Sequence, residues 1–368
     1  MTDREPTARR GRLRVEGFES STERSLEDDT AWPRSVERDR EQSRTEGSVG
    51  RSRSRWRDIW RRFRSDRTAL LGAAIVAILT VLAVFAWPLE VTTLGYRITL
   101  QPFALAPYDP GELYVGPTNA GPSLAHPFGT DWAGRDQFSR VLAGGRYSLS
   151  IGALAVALAL CVGVPLGAIA GYVGGWVDEA IMRVVDILFA FPFLVLAIAI
   201  VAVLGQGYWN VVAALVITGW LSYARLIRGE ILSVREAEYV TAAKALGASD
   251  RRIVARHVVP NAVAPVIVQA TLNVGTVVLA AAALGFLGLG LSPDSAEWGT
   301  MLADGRSSLL QGHWHITVFP GLALFAFVLA INLVGDGLND ALEPRLEDGE
   351  SRTAHRGSRT HDVERRDR

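Results

Sequence analysis

The sequence predicts an all-α, polytopic membrane protein with six transmembrane helices. Three observations predict it. Of 368 residues, 49% are hydrophobic and they stand in blocks instead of being spread along the chain. Six of these blocks approach or exceed the length needed to cross a bilayer, and arginines are concentrated in alternate connections between them. A helix rises about 1.5 Å per residue and the hydrocarbon core is about 30 Å thick, so roughly 20 apolar residues suffice. Backbone groups in hydrocarbon must be satisfied internally, which leaves helices or closed barrels, and a barrel would read as shorter alternating segments.

Residues 1–54 are rich in Arg, Glu, Ser and Asp with little apolar content. Such a stretch cannot bury enough surface to offset its ordering entropy, and is expected to be a disordered cytoplasmic extension. Residues 55–87 are expected to hold a cytoplasmic lead-in and the first helix, Ala69–Trp87, and residues 88–148 an external segment. Residues 149–345 form the expected five-helix core: Leu149–Tyr172, Ile187–Leu204, Val211–Leu226 (short, in need of its flanks), Ala264–Leu291 and His315–Leu333. A polar loop over 229–261 interrupts that core, and residues 346–368 read as a second disordered cytoplasmic tail.

Orientation follows from the tendency of cationic residues near a span to stay cytoplasmic. Arg51, Arg53, Arg55, Arg57, Arg61, Arg62, Arg64 and Arg67 precede the first span. The loop after the fourth carries Arg225, Arg228, Arg235, Lys244, Arg251, Arg252 and Arg256, whereas Gly205–Trp209 has no charge and Pro293–Trp314 holds one arginine. Both termini are therefore expected in the cytoplasm, with the chain multi-pass in the plasma membrane and in contact with lipid. With 38 basic and 38 acidic residues the chain has no overall basic field for nucleic acid. The single cysteine, Cys161, excludes an intrachain disulfide.

The loop carries the most specific pattern. Tyr239, Ala242, Ala243 and Leu246 recur at helical spacing and give one largely apolar, narrow face, predicting a short helix over Glu236–Leu246. Gly247 stands where a helix C-terminus tolerates positive φ, and Ser249 or Asp250 can cap a second helix running toward Pro260. This helix, turn, helix reading is open to two functions: a knob that docks on a soluble partner, or a membrane-anchored DNA reader.

Ala242, Ala243, Gly247 and Pro260 fall at the spacing of the signature loop of ATP-binding cassette (ABC) importer permeases. The chain resembles that family, in its dipeptide, oligopeptide and nickel branch, from about Pro127 to Arg345. The carrying residues include Gly129, Asp131, Gly134, Arg135 and Asp136 before the second span, similar to the family's external motif. Trp220, Tyr223, Ala224, Arg225 and Arg228 approach the loop, and His257, Pro260 and Asn261 leave it. Further matches are Leu284, Phe286-Leu287-Gly288, Gly290 and Trp298-Gly299, then Asn332, Gly335-Asp336-Gly337, Asp340, Leu342 and Pro344-Arg345. The chain departs from the family pattern at Thr241, Ala281 and Asn339.

The resemblance implies a type I importer permease fold and a subunit that enzymatically does nothing itself. It pairs with a second, related permease above two ATPases and below an external solute-binding protein. It implies that the 236–250 helix docks on an ATPase through Tyr239, Ala242, Ala243, Leu246, Gly247 and Ala248, with Pro260 closing the loop. The expected cargo is di- or oligopeptide, with nickel or another small solute as the alternative. The chain's only lysine, Lys244, is followed by Ala245, so the phosphate-binding loop of an ATPase is lacking. His313 and His315 lack further plausible ligands, and neither metal nor cofactor is expected.

Gly163, Gly167 and Gly171 repeat every four residues and predict a close helix-packing seam. Pro165 and Pro192 are candidate kinks. Asp178, Glu179, Arg183 and Asp186 open the third span, with Glu179 and Arg183 spaced as an i, i+4 pair. The middles of the spans hold no ionisable residue, which argues against ion-coupled transport.

Overall fold

In the computed structural model the described residues are 51–93, 96–237, 240, 245, 247 and 259–342. Residues 1–50 of the expected disordered N-terminal extension, the expected tail 346–368 and most of the polar loop lie outside them, whereas residues 51–54, expected to be disordered, are helical. The described residues from Arg55 to Leu342 belong to one compact unit. The helices, in order, are α1 (Arg51–Ser65), α2 (Arg67–Phe85), α3 (Gln137–Val173), α4 (Gly175–Phe189), α5 (Phe193–Leu204), α6 (Tyr208–Arg235), α7 (Val259–Phe286), α8 (Trp298–Leu310) and α9 (His315–Leu342). A short antiparallel hairpin, β1 (Leu89–Thr93) with β2 (Tyr96–Gln101), follows α2. It is an addition to the all-α expectation.

Among the described residues, five helices (α2, α3, α6, α7 and α9) are long and apolar enough to cross a membrane unaided. The third expected span, Ile187–Leu204, is not one straight helix. The chain bends by 88° between α4 and α5, and the two count as a sixth span only if taken together. Pro192 is the cause. It stands as N-cap of α5, it has no N–H to continue α4, and it biases Phe191 away from helical backbone. Pro165, by contrast, lies inside the continuous α3.

Helix starts follow from local chemistry. Asp66 caps α2, its Oδ1 accepting from the Thr68 and Ala69 N–H groups at 2.8 and 3.4 Å. Asp136 caps α3 by accepting from Ser139 N–H at 2.8 Å, which starts that helix well before the expected Leu149. Between α3 and α4 the chain turns at Gly174, whose φ of 69° lies in the left-handed region that a residue without Cβ adopts freely.

Apolar side chains of α3, α5, α6 and α7 make the main core, around Ile151, Leu215, Ile227 and Leu284. A second core joins α3, α7, α8 and α9 at Val141, Val278, Trp298 and Phe327. Phe63, Ala69 and Ala341 join α1, α2 and α9. Many large apolar residues of the spans face outward, including Ile78, Val203 and Phe325, as a lipid-facing surface requires. Gly337, near the end of α9, packs against Asp66 and Ala69 at the start of α2, so these two ends lie on one side of the bundle.

Candidate functional site

The glycine seam lies against α6. A Cβ at Gly163 would run into the Trp220 carbonyl oxygen, one at Gly167 into that of Ala224, and one at Gly171 would sit 3.0 Å from that of Arg228. Three turns of α3 therefore ride directly on the backbone of α6, which fixes the helix that leads into the polar loop.

That end of α6 is also tied to α4. Arg228 grips Asp178 in a two-pronged ion pair, with Nη2 donating to Oδ2 at 2.6 Å. Arg225 donates to Asp186 Oδ1 at 2.7 Å while its guanidinium lies 4.3 Å from the centre of the Phe189 ring. Arg235, the last residue of α6, donates to the Tyr172 carbonyl at 3.2 Å. Glu179 and Arg183 make their expected pair at 3.5 Å, but both are largely exposed, and such a pair contributes little. The acidic residues at the start of the third span thus serve mainly as anchors for arginines two helices away.

Of the expected docking residues, Gly247 is exposed with φ of 79° and Pro260 lies in the first turn of α7. Tyr239, Ala242, Ala243, Leu246 and Ala248 lie outside the described residues. Val240 is fully buried in the main core, so the chain just beyond α6 is anchored to the bundle.

At the opposite end, the five residues of the expected external motif come together with partners distant in sequence. Asp131 accepts from Arg135 Nε at 2.6 Å and from the Ala133 and Arg135 N–H groups at 2.8 and 3.0 Å; it and Arg135 are each 1% exposed. Arg135 also approaches Asp304 of α8 at 3.5 Å, and Arg140 approaches Asp131 at 3.8 Å while donating to the Pro110 carbonyl at 3.0 Å. Burial pushes the Asp304 carboxyl above its ordinary range, against the opposing pull of Arg135 and Arg140. Asp136 completes its cap with His126, whose Nδ1 lies 2.9 Å away. Gly129 and Gly134 both hold positive φ, and a Cβ on Gly129 would meet the Ala120 carbonyl and the His315 ring. His315 is held by this packing, with Nε2 3.2 Å from the Thr130 carbonyl oxygen.

Glu297 belongs to the same end and was not singled out from sequence. It is 1% exposed and caps α8, accepting from the Gly299 and Thr300 N–H groups, both at 2.9 Å, and from the Ser148 hydroxyl of α3 at 3.0 Å. The available signal was an acidic residue followed by Trp298-Gly299-Thr300, which reads as a helix cap only once α8 is known to start there. Trp298 donates from Nε1 to the Val141 carbonyl at 2.9 Å, so this turn clamps α8 onto α3.

Between the two ends, where α4 breaks into α5, lies a half-open cavity of about 240 Å³ walled by α3, the end of α4, α5, α6 and α7. Phe189, Phe191 and Phe193 line one side, and Thr218, Ser222, Tyr223 and Asn273 contribute polar groups. The sequence singled out Tyr223 only as part of the approach to the loop, and Pro192 only as a kink. Tyr223 lines the chamber, as do Phe191 and Phe193 on either side of Pro192.

A bundle of membrane-crossing helices with a broken span, an internal chamber and a polar loop at one end defines a transport subunit embedded in the membrane. Residues 163–348 match the family described as the binding-protein-dependent transport system inner membrane component, and residues 54–122 match the N-terminal TM domain of oligopeptide transport permease C. The second match covers the first helix and the hairpin, where no motif had been recognised. The glutathione transport system permease protein GsiD of Escherichia coli O157:H7 is 44% identical over 297 residues, covering 80% of this chain and 92% of that protein. GsiD of Shigella dysenteriae serotype 1 (strain Sd197) is 43% identical over the same shares. A solved structure of the inward-facing MetNI methionine ABC transporter aligns at TM-score 0.47 and 18% identity, over 56% of this chain and 97% of that one. The chain belongs to the binding-protein-dependent transport system inner membrane components: it is a permease subunit of the ABC importer class, in the peptide and nickel branch.

Proposed function

We propose that this subunit carries short peptides inward across the plasma membrane, with both termini in the cytoplasm. It does so beside a second, related permease, two ATP-binding cassette ATPases on the cytoplasmic side and an external solute-binding protein. ATP is hydrolysed by the partner chains. The cargo reading draws on the relatives, named for transport of glutathione, itself a tripeptide.

One observation carries the mechanism. α6 runs unbroken from Tyr223 in the chamber wall to Arg235 at the start of the polar loop, and its arginines hold α4, whose end supplies Phe189 to the same chamber. In this reading the ATPases close and pull on the 236–250 segment through Tyr239, Ala242, Ala243, Leu246, Gly247 and Ala248, with Pro260 restraining the exit. α6 and α4 then move together and the chamber alternates its exposure, a population shift driven by contacts that differ between two states. Residues 1–54 and 346–368 act as cytoplasmic extensions, the former anchoring topology at the lipid surface.

Ala243→Arg tests the docking role. Membrane insertion should persist while ATP-driven uptake of a labelled tripeptide into proteoliposomes is abolished; undiminished uptake would remove the loop from the mechanism. Uptake of nickel in place of peptide in the same assay would overturn the cargo while leaving the machinery. Salt-sensitive binding of the 229–261 segment to duplex DNA, with no loss of uptake in Ala243→Arg, would favour the DNA-reader alternative.

A further inference from the structure

The chamber at the break between α4 and α5 has an asymmetric set of polar groups. Its lining includes no charged side chain. The hydroxyls of Thr218 and Ser222 are taken by carbonyls of their own helix, at 2.8 Å to Ala214 and 3.0 Å to Gly219. Tyr223, 1% exposed, is different. Its oxygen accepts from Asn273 Nδ2 at 3.1 Å, and Asn273 Oδ1 is in turn occupied by Gln269 Nε2 at 3.1 Å. The chain of donors therefore ends with the Tyr223 proton, for which no acceptor is found among the described residues.

The second group of donors comes from backbone. α5 begins at Pro192 without a side-chain cap, and its first ladder bond is from Leu196 N–H to the Pro192 carbonyl at 3.0 Å. The N–H groups of Phe193, Leu194 and Val195 have no partner within the helix, and the positive end of the α5 dipole lies where Phe193 and Leu196 border the chamber. A buried hydroxyl proton and an uncapped helix start thus border one half-open pocket whose lining holds no charged side chain. Broken membrane helices present anions with this combination of half-helix end and low dielectric.

We propose that this chamber is a cargo subsite that receives the carboxylate of a short peptide, with Tyr223 donating one hydrogen bond and the start of α5 the others. Phe189, Phe191 and Phe193 provide the apolar wall for a neighbouring side chain. The inference rests on the peptide-import reading and adds to it a specificity residue in the permease itself, separate from selection by the solute-binding protein.

The experiment uses the assembled transporter in proteoliposomes, with its solute-binding protein and ATP, and two labelled probes: tri-alanine and tri-alanine amide. Because the binding protein is the same throughout, a change in the ratio of acid to amide uptake between wild type and Tyr223→Phe arises in the permease. Loss of a hydrogen bond to a charged group should lower that ratio roughly tenfold. An unchanged ratio, including an equal fall for both probes, would overturn the subsite.

A second measurement keeps Tyr223 intact. With Ser222→Cys in a Cys161→Ser background, tri-alanine should slow maleimide labelling of the new thiol and the amide should not; equal labelling with both would also overturn it. Uptake of neither probe by wild type would instead sink the peptide-import reading, and the subsite with it. Normal uptake with an unchanged ratio sinks the subsite alone.

Discussion

Arg228 of α6 and Asp178 of α4 are joined by two parallel hydrogen bonds, although 50 residues separate them in sequence. Planar guanidinium against carboxylate is the geometry in which an ion pair gains directionality as well as charge. The pair is partly solvated, with side chains 31% and 17% exposed, so its worth in stability is about 1 kcal/mol. Its larger role is to make α4 follow α6. Arg228→Ala should therefore leave thermal stability in detergent nearly intact and cut peptide uptake well below wild type while ATP hydrolysis continues. Arg228→Lys should recover only part of the uptake, because a single ammonium cannot reproduce the two-pronged contact. Parallel measurement of hydrolysis and uptake checks both.

Gly167→Leu should be the most damaging substitution on the seam. A Cβ there already overlaps the Ala224 carbonyl, so a larger side chain must drive α3 off α6. Overpacking of this kind costs about 1–3 kcal/mol, and folded yield after detergent extraction should fall. Gly229→Ala in the same helix pair is the control. Nothing lies within 4 Å of its added Cβ, and its yield should equal or exceed wild type.

Arg135→Ala should destabilise the end of the bundle where α3 begins. It leaves Asp131, which is 1% exposed, with only the longer contact to Arg140 at 3.8 Å as an ion pair, and removing one member of a buried pair costs about 3–5 kcal/mol. Thermal unfolding in detergent should show a clear loss. Replacing the two together, Asp131→Asn with Arg135→Met, should cost less than the sum of the two single substitutions, because both remove the same ion pair.

Asp304 gives the network a pH dependence of defined sign. Burial raises its carboxyl above the ordinary 3.8, so the folded state holds the proton more tightly than the unfolded chain. Its stabilising contribution is then fully present below pH 3.8 and is lost as the pH rises through the raised value. Asp304→Asn should be slightly more heat-stable than wild type at neutral pH, with the difference closing on acidification. A midpoint comparison across that range reads it directly.

The order of spans was legible because apolar length is a property of composition. The glycine periodicity likewise pointed to a close contact, though not to its partner on α6. The hairpin after α2 and the helix α8 went unread because both are short, and α8 is placed by contacts with helices far away in sequence, above all α3. Ile187–Leu204 was read as one span with Pro192 as a candidate kink; the 88° size of the bend was not legible, since hydropathy measures apolarity and Pro192 changes direction without changing it. The Arg225–Asp186 and Arg228–Asp178 pairs were out of reach for another reason: each residue had a plausible local partner or a solvated fate, and only the tertiary arrangement chooses between them.

The shortness of α5 bears on how this part of the chain can cross a bilayer. Twelve residues make a rod of about 18 Å, against roughly 30 Å of hydrocarbon. α5 alone falls short of that distance, and a crossing is completed only together with α4. Two stiff rods meeting at a proline joint can change their mutual angle while each keeps its own ladder of hydrogen bonds.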